Sequence, residues 1–561
     1  MSTILTLHDP RAARRYYEAG AWREDTLYSL LARHARERPR AYALRDACRR
    51  LTWSDLVQWV DAAAADLHAA GLRRGQRVSV WLPNRAEAVV AFLACSRMGY
   101  VCNPSLHQNY AVAEVVELMR RIDAAVLLAQ PGYGADAGRH NIFDAARGVE
   151  SVKRVYRLDP GGAMPAPQSD LAVFPPAGAK PAAVPPPPDT NPDKIVYLAF
   201  TSGTTGAPKG VLHSDNTLLA NGRAMVADWG HDERTVLLSL SPLSHHIGTV
   251  ALEQCLVSGC ELVVHDSPSG MKPLDWIIDT GATYVMGVPT HAIDLLAELG
   301  RRRMERLGCV SVFYMAGSVI PPETARAFLD MGIKPQNIYG MTENGSHQYT
   351  LPGDSVDVIT TTCGKACRGY ETRLWDQENP DAEAKPGAIG EIGTRGALLM
   401  LGYFNNQRAT ESAFNAGGWF MSGDLGRQDG AGNLQIVGRK KDLIIRGGEN
   451  IHPAHIENLA LRHPAVLKAA AFAVADARLG ERVCLAVIAR NGATVDPGEL
   501  LAHLDRAGLS KHHMPEYFVR MDAFPLTASG KIVKRELAEW ARKGKIAPAP
   551  VRWTASKNRG P

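Results

Sequence analysis

One stretch constrains the fold more than any other. An apolar run, Lys194-Ile-Val-Tyr-Leu-Ala-Phe200, reads as a buried strand and delivers the chain straight into Thr201-Ser-Gly-Thr-Thr-Gly-Ala-Pro-Lys-Gly210. Glycines let backbone N–H groups close around phosphate oxygens, hydroxyls add donors, and a lysine adds a point charge. This is chemistry for holding a triphosphate. The spacing is not that of a Walker A loop, whose lysine opens a helix. Pro208 before Lys209 and Gly210 after it disfavour a helix beginning there. Taken alone, the segment is also compatible with an ordinary turn.

The flanking pattern predicts α/β layers with a largely parallel sheet. Arg77-Val-Ser-Val-Trp-Leu82 and Ala124-Ala-Val-Leu-Leu-Ala129 read as strands. Between them a helix is expected, with Asn84 as N-cap, Glu87 as its capping-box partner and Gly99 as the stop. From about Asp159 to Pro188 the chain is rich in proline, alanine and glycine and reads as an exposed, partly extended connector. More α/β alternation follows to about residue 370, then shorter strands and glycine turns to about 437. Gly438-Arg-Lys-Lys-Asp-Leu-Ile-Ile-Arg-Gly-Gly448 marks a domain boundary, and the remainder suits a small α+β domain.

A formal net charge of +5 over 561 residues is too mild to argue for nucleic acid. No apolar run approaches the roughly 18 residues of a membrane span. The N-terminus lacks the apolar core of a secretion signal, and Asp9, Glu18, Glu24 and Asp25 argue against a matrix-targeting presequence. The nine cysteines are scattered; only Cys363 and Cys367 lie close, and no second pair completes a zinc site. Reduced thiols and a cytoplasmic setting are expected.

Further segments suit a nucleotide-activating site. Tyr339-Gly-Met-Thr-Glu343 combines an aromatic face for adenine, a hydroxyl for phosphate and a carboxylate for Mg²⁺. Trp419-Phe-Met-Ser-Gly-Asp424 sets an acid after a tight turn, where it can accept ribose hydroxyls, and Arg439 can reach the same ribose. Pro525-Leu-Thr-Ala-Ser-Gly-Lys531 carries a compact cation behind a small-residue loop, fit to approach a reacting phosphate. Singly, a turn-capping aspartate or a surface lysine is the better reading of Asp424 or Lys531.

Together with Ser241-Pro-Leu-Ser-His245 and Gly438–Glu449, the set resembles the adenylate-forming superfamily of acyl-CoA synthetases, peptide-synthetase adenylation domains and luciferases, over nearly the whole chain. The resemblance implies a large multi-subdomain N-terminal domain with mixed sheets over 1–438, a hinge at 439–441 and a small mobile α+β domain over 442–561. The hinge residue is Lys441, where many relatives carry aspartate. By the same resemblance, Thr201, Ser202, Gly203, Thr204, Thr205, Gly206 and Lys209 hold the β- and γ-phosphates of ATP. Thr342 and Glu343 serve the α-phosphate and Mg²⁺, and Lys531 bridges the carboxylate and the α-phosphate. Tyr339 and the Ala316-Gly317-Ser318 segment enclose adenine, while Asp424 and Arg439 hold ribose. Gly447, Gly448 and Glu449 flank the coenzyme A path, and His245 gates it. The acyl pocket is expected near His245, His246, Ile247, Gly248 and Thr249, Met286–Val288, Met315–Gly317, and Gly340 with Met341.

Nothing after Lys531 resembles a carrier domain, so coenzyme A is the expected acceptor. The pocket segments offer no buried cation for a second carboxylate, which favours a compact apolar acid. Arg14–Trp22 and Lys440–Pro453 look most like ligases of alicyclic and short- to medium-chain acids, cyclohexanecarboxylate first; straight-chain and aromatic acids stay open. A non-catalytic acyl-adenylate or nucleotide sensor is the reading from a different class, and a luciferase-like oxygenase a third. Lys531 also resembles a site of reversible acetylation, which implies a lysine acetyltransferase and deacetylase as partners.

Overall fold

The computed structural model describes residues 9–162, 171–181, 184–201, 208–266, 270–317, 320–490, 492–527 and 531–553. Two large sheets form the body of the N-terminal domain. The first runs, in spatial order, through Ala172–Val173, Arg154–Arg157, Ala124–Ala129, Arg77–Trp81, Val101–Asn103, Ile195–Thr201 and Lys209–Ser214, parallel except for the last pair. Ala124–Ala129 is buried at every position, as a parallel strand covered on both faces should be. The second sheet has nine strands, with a parallel centre at Val236–Ser239, Glu261–Val264, Tyr284–Gly287, Val312–Met315 and Lys334–Met341.

Helices between these sheets are buried nearly all round, among them Ala86–Met98, Asp215–Trp229 and His246–Ser258. The last two approach closely at Gly222, where an added Cβ would lie 2.9 Å from the backbone carbonyl of Glu253. Asp215 opens its helix without solvent access: Lys194 Nζ lies 2.6 Å away, and the Ser96 hydroxyl and Leu27 N–H donate to its other oxygen. This ties the phosphate-loop strand to the interior.

One expectation needs correction. The helix Ala86–Met98 is capped from elsewhere: Arg85 holds the N-cap position and Asp46 accepts from Ala86 N. Asn84 instead accepts from Leu243 N, and Glu87 turns to the guanidinium groups of Arg85 and Arg49. Two nearby cations outcompete a local N–H for that carboxylate. The connector keeps solvent contact over most of its described residues, as its composition suggests, but it is pinned to the body at several points. Ala172–Val173 adds an edge strand, Phe174 is buried, and Pro175 and Pro186 carbonyls accept from Trp59 and Arg97. Gly99 does stop its helix in the left-handed conformation.

A four-stranded antiparallel sheet follows, Tyr370–Trp375, Gly390–Gly396, Phe420–Gln428 and Leu434–Arg439. The smaller C-terminal domain has its own sheet, centred on the long hairpin Val466–Asp476 with Gly480–Ala489, and its own apolar core around Ile444, Ile456, Leu485 and Leu504. The described cysteines are all free thiols. Among the described residues no helix is long and apolar enough to cross a membrane.

Candidate active site

The site forms where the sheets meet. Thr201 ends one strand and Lys209 begins its antiparallel neighbour, and the two residues face each other in register. The ends of the phosphate loop are therefore clamped together, and Lys209 begins a strand and not a helix. Ser202, Gly203, Thr204, Thr205 and Gly206 lie outside the described residues, as does Ser318. Lys209 Nζ sits 4.6 Å from the centre of the Tyr403 ring.

Tyr339, Gly340 and Met341 end a strand of the nine-stranded sheet, and Thr342 and Glu343 form the turn into Gly345–Tyr349. Gly340 tolerates no side chain, because a Cβ there would overlap the Gly345 carbonyl. The Glu343 carboxylate is buried and accepts from the Tyr403 hydroxyl at 3.0 Å, while its backbone carbonyl accepts from Met400 N at 2.7 Å. Burial raises its carboxyl above the usual range, opposed by the Tyr403 hydrogen bond and by the charges of Lys209 and Lys531. A single carboxylate with cations beside it suits a Mg²⁺ ion that arrives on a triphosphate, since Mg²⁺ takes one or two carboxylates and substrate phosphates. Among the described residues no cluster of three or more ligating side chains is present to hold a free metal ion.

Asp424 and Arg439 are partners in neighbouring strands, and Arg439 Nε lies 2.9 Å from Asp424 Oδ1. The Tyr339 hydroxyl donates to Asp424 Oδ2 at 2.9 Å. An aromatic face, a carboxylate and a guanidinium thus form one unit, with acceptor capacity left on both Asp424 oxygens.

Lys531 comes from the C-terminal domain. The segment around it folds back on itself, with Thr527 N donating to Lys531 O and Lys531 N to the Thr527 hydroxyl. Its side chain keeps contact with solvent, yet the cleft lowers its ammonium pKa, first by desolvation and then through Arg439; Asp424 and Glu343 pull the other way. Lys441, in the short turn Lys440–Asp442, is lowered by desolvation and by Arg439. Gly447 and Gly448 are exposed with φ of +59° and +88°, and Glu449 accepts from the His513 ring at 3.0 Å.

On the acyl side, His245 holds the N-cap position of His246–Ser258, its ring 4.5 Å from that of His107. Burial, then the charge of Lys531, pushes its imidazole down to about 4, so it is neutral near pH 7. Gly248 is a close-packing position: a Cβ there would lie 2.5 Å from the Pro242 carbonyl. Thr249 is fully buried. Met315 belongs to the apolar core with Phe313 and Phe328, Ala316 to the main core, and Met341 packs against Tyr339 and Ile392. Gly317 has φ +95° and lies at the surface.

Three residues at this site escaped the sequence reading. His213 donates through Nε2 to the Thr342 carbonyl at 2.7 Å, the only role a carbonyl partner permits. It lies on the strand face shared by Lys209 and Val211, so the two-residue period was the available signal. Tyr403 and His107 reach the site through long-range contacts with no local sign.

Comparison with known proteins identifies the family. The profile of the AMP-binding enzyme family matches residues 31–404, and that of the AMP-binding enzyme C-terminal domain matches 455–531. A medium-chain fatty-acid–CoA ligase of Escherichia coli K12 is 30% identical over 537 residues, 95% of this chain and 93% of that protein. A feruloyl-CoA synthase of an Amycolatopsis species is 32% identical over 522 residues, 92% and 99% of the two chains. The ATP-bound crystal structure of MatB from Rhodopseudomonas palustris superposes with a TM-score of 0.80 at 28% identity, covering 92% of this chain and 99% of that one. The chain belongs to the AMP-binding enzyme family, the adenylate-forming enzymes.

Proposed function

We propose the following division of labour for an AMP-forming acid–CoA ligase. The enzyme uses ATP, Mg²⁺ and coenzyme A and works through an acyl adenylate. In the first step a substrate carboxylate oxygen attacks the α-phosphorus of ATP and diphosphate leaves. A carboxylate is a poor electrophile, and the adenylate gives it a good leaving group. The barrier is mostly charge on phosphoryl oxygens, so positioning and cations do the work.

Thr201 and Lys209, with residues 202–206 between them, hold the β- and γ-phosphates. Thr342 faces the α-phosphate, and Glu343 would hold Mg²⁺, which supplies charge compensation to the phosphates when bound. Tyr339 and Gly317 flank adenine, and Asp424 with Arg439 holds ribose. Lys531 neutralises the carboxylate and the α-phosphoryl oxygens as they meet. The observation that carries this reading is that Lys531, from the C-terminal domain, faces Asp424 and Glu343 of the N-terminal domain.

In the second step the C-terminal domain, 442–561, rotates on 439–441 against 1–438, with Lys441 as hinge. Lys531 withdraws and the Gly447, Gly448 and Glu449 face replaces it. The thiol then attacks the acyl carbonyl and AMP leaves. A neutral His245 moves aside without carrying charge through a dry passage. Acetylation of Lys531 by a lysine acetyltransferase would silence the first step and a deacetylase would restore it. The free thiols suit a reducing cytoplasm.

The acid is a compact monocarboxylate, with cyclohexanecarboxylate as the lead candidate. Among the described residues, Lys531 is the cation whose charge reaches His245 and none acts on His246, which supports one carboxylate and not two. ATP-dependent diphosphate release across cyclohexanecarboxylate, cyclohexenecarboxylate, benzoate and fatty acids of increasing length tests this. Highest kcat/KM with the non-aromatic ring acids is expected. Preference for a dicarboxylate or an amino acid overturns the assignment.

A further inference from the structure

The helix His246–Ser258 carries a group that the chemistry above does not use. Glu253 has no solvent exposure, and neither carboxyl oxygen has a hydrogen-bond partner. Such a group is rare in a folded protein and calls for a cause. Among the described residues no cation answers it, and burial pushes its carboxyl well above the usual range, which favours the protonated form. A protonated carboxyl both donates and accepts. Two neighbours are also buried and polar: Thr249 Oγ1, one turn earlier, has only the Tyr197 hydroxyl beside it, and Gln254 Oε1, the next residue, is unpaired.

These groups face the acyl side. Thr249 and Glu253 continue the helix face that begins at His246, whose ring is 3.2 Å from the Tyr197 hydroxyl. Glu253 interacts electrostatically with Tyr197 and with Tyr314, which packs in the same core as Ala316, while Met315 points to the opposite face. The Tyr314 hydroxyl is occupied by Ser346 Oγ at 2.7 Å, and Gln254 Nε2 lies 3.4 Å from Met286 Sδ. Tyrosine and glutamine donors that might have answered Glu253 are therefore engaged elsewhere. On the other side, the backbone of Asp215–Trp229 closes at Gly222.

We propose that Glu253, with Thr249 and Gln254, forms the far wall of the acyl site and receives a hydroxyl carried by the substrate acid at the end away from its carboxylate. The inference rests on the acyl-site reading above and refines it. A hydroxyl donates one hydrogen bond and accepts others, so it can answer both the carboxyl O–H and an acceptor oxygen. A keto group would only accept and leave Gln254 Oε1 unpaired. A second carboxylate would bring a charge with no counter-ion among the described residues.

The test measures kcat/KM for diphosphate release with two pairs: cyclohexanecarboxylate against its analogue hydroxylated opposite the carboxylate, and hexanoate against ω-hydroxyhexanoate. Wild type is expected to favour the hydroxylated member of at least one pair by about tenfold to a hundredfold. Glu253→Gln should keep that preference, and Glu253→Met should abolish it. Glu253→Met should also raise Tm, since an unpaired buried polar group is exchanged for an apolar one of similar size; a purely structural carboxyl predicts a fall. No preference for a hydroxyl in either pair overturns the proposal, as does a preference that survives Glu253→Met. Efficient use of the plain acids with no hydroxyl preference would leave the ligase assignment intact and remove only this inference. Failure of every acid would remove both.

Discussion

Lys531→Ala separates the two half-reactions. An ammonium about 4 Å from a phosphoryl oxygen is worth roughly 4 kcal/mol at an effective dielectric near 20 and about 1 kcal/mol in bulk water. Lys531 keeps solvent contact but its cleft is partly desolvated, which places it between those limits. Two to three kcal/mol corresponds to a loss of about 30- to 150-fold in the adenylation rate. The assay follows single-turnover formation of acyl-AMP from ATP and acid, and separately the conversion of supplied acyl-AMP to thioester with coenzyme A. The first should fall by about two decades and the second should hold. Lys531→Arg should rescue adenylation poorly, because a planar fork does not replace a compact cation. Equal loss of both half-reactions would mean that Lys531 holds the domains together and does not act on the phosphate.

Other consequences are open to direct measurement. Asp424→Ala removes the acceptor shared by Tyr339 and Arg439 and should raise the KM for ATP by about tenfold or more while leaving the KM for the acid unchanged; isothermal titration with ATP checks it. A bulky residue at Gly448 should slow thioester formation and spare adenylation. Because φ is +88° there, Gly448→Asn, which tolerates that conformation, serves as the control for backbone strain. The adenylation rate should decline on the alkaline side below the ordinary lysine pKa, because desolvation and Arg439 lower that of Lys531; a pH–rate profile of the first half-reaction reads this. Stability should fall in acid. His107, His213 and His347 are buried with imidazoles pushed down to about 3, 4 and 3, so between the ordinary histidine value and those the unfolded chain binds protons the folded one refuses. Because the unfolded imidazole is only half protonated at about pH 6.5, each costs about 1 kcal/mol over the first unit below it, roughly 3 kcal/mol together between pH 6.5 and 5.5. Denaturant midpoints across that range check the sign; a stability that rises toward acid would contradict the neutral assignments.

What could be read from the chain alone followed local rules. Ala124–Ala129 and the strand before the phosphate loop are apolar runs bounded by turn residues, and Gly99 is a local stop signal; each depends on neighbours in sequence. The residues proposed here for the nucleotide stood out because they sit in short segments of unusual composition. The error came from long-range competition. Asn84 and Glu87 have the spacing of a cap, but Asp46, Arg49 and Leu243, remote in sequence, offered better partners. The proline-rich connector was drawn onto the body because Phe174 found a buried site and Trp59 and Arg97 needed acceptors. Tyr403 and His213 hold the Thr342–Glu343 turn across 60 and 129 residues, separations that no window of sequence spans. Glu253 was hardest to read, because within a helical pattern it looks like any surface carboxylate until its burial is known.

The most direct test of the central claim is a rapid-quench experiment with ATP, Mg²⁺ and the preferred acid, first without coenzyme A and then with it. Without coenzyme A, one equivalent of acyl-AMP per enzyme and one of diphosphate should accumulate. On adding coenzyme A, acyl-CoA and AMP should appear together as the adenylate disappears. Formation of ADP and phosphate, or thioester without a preceding adenylate, would contradict the account.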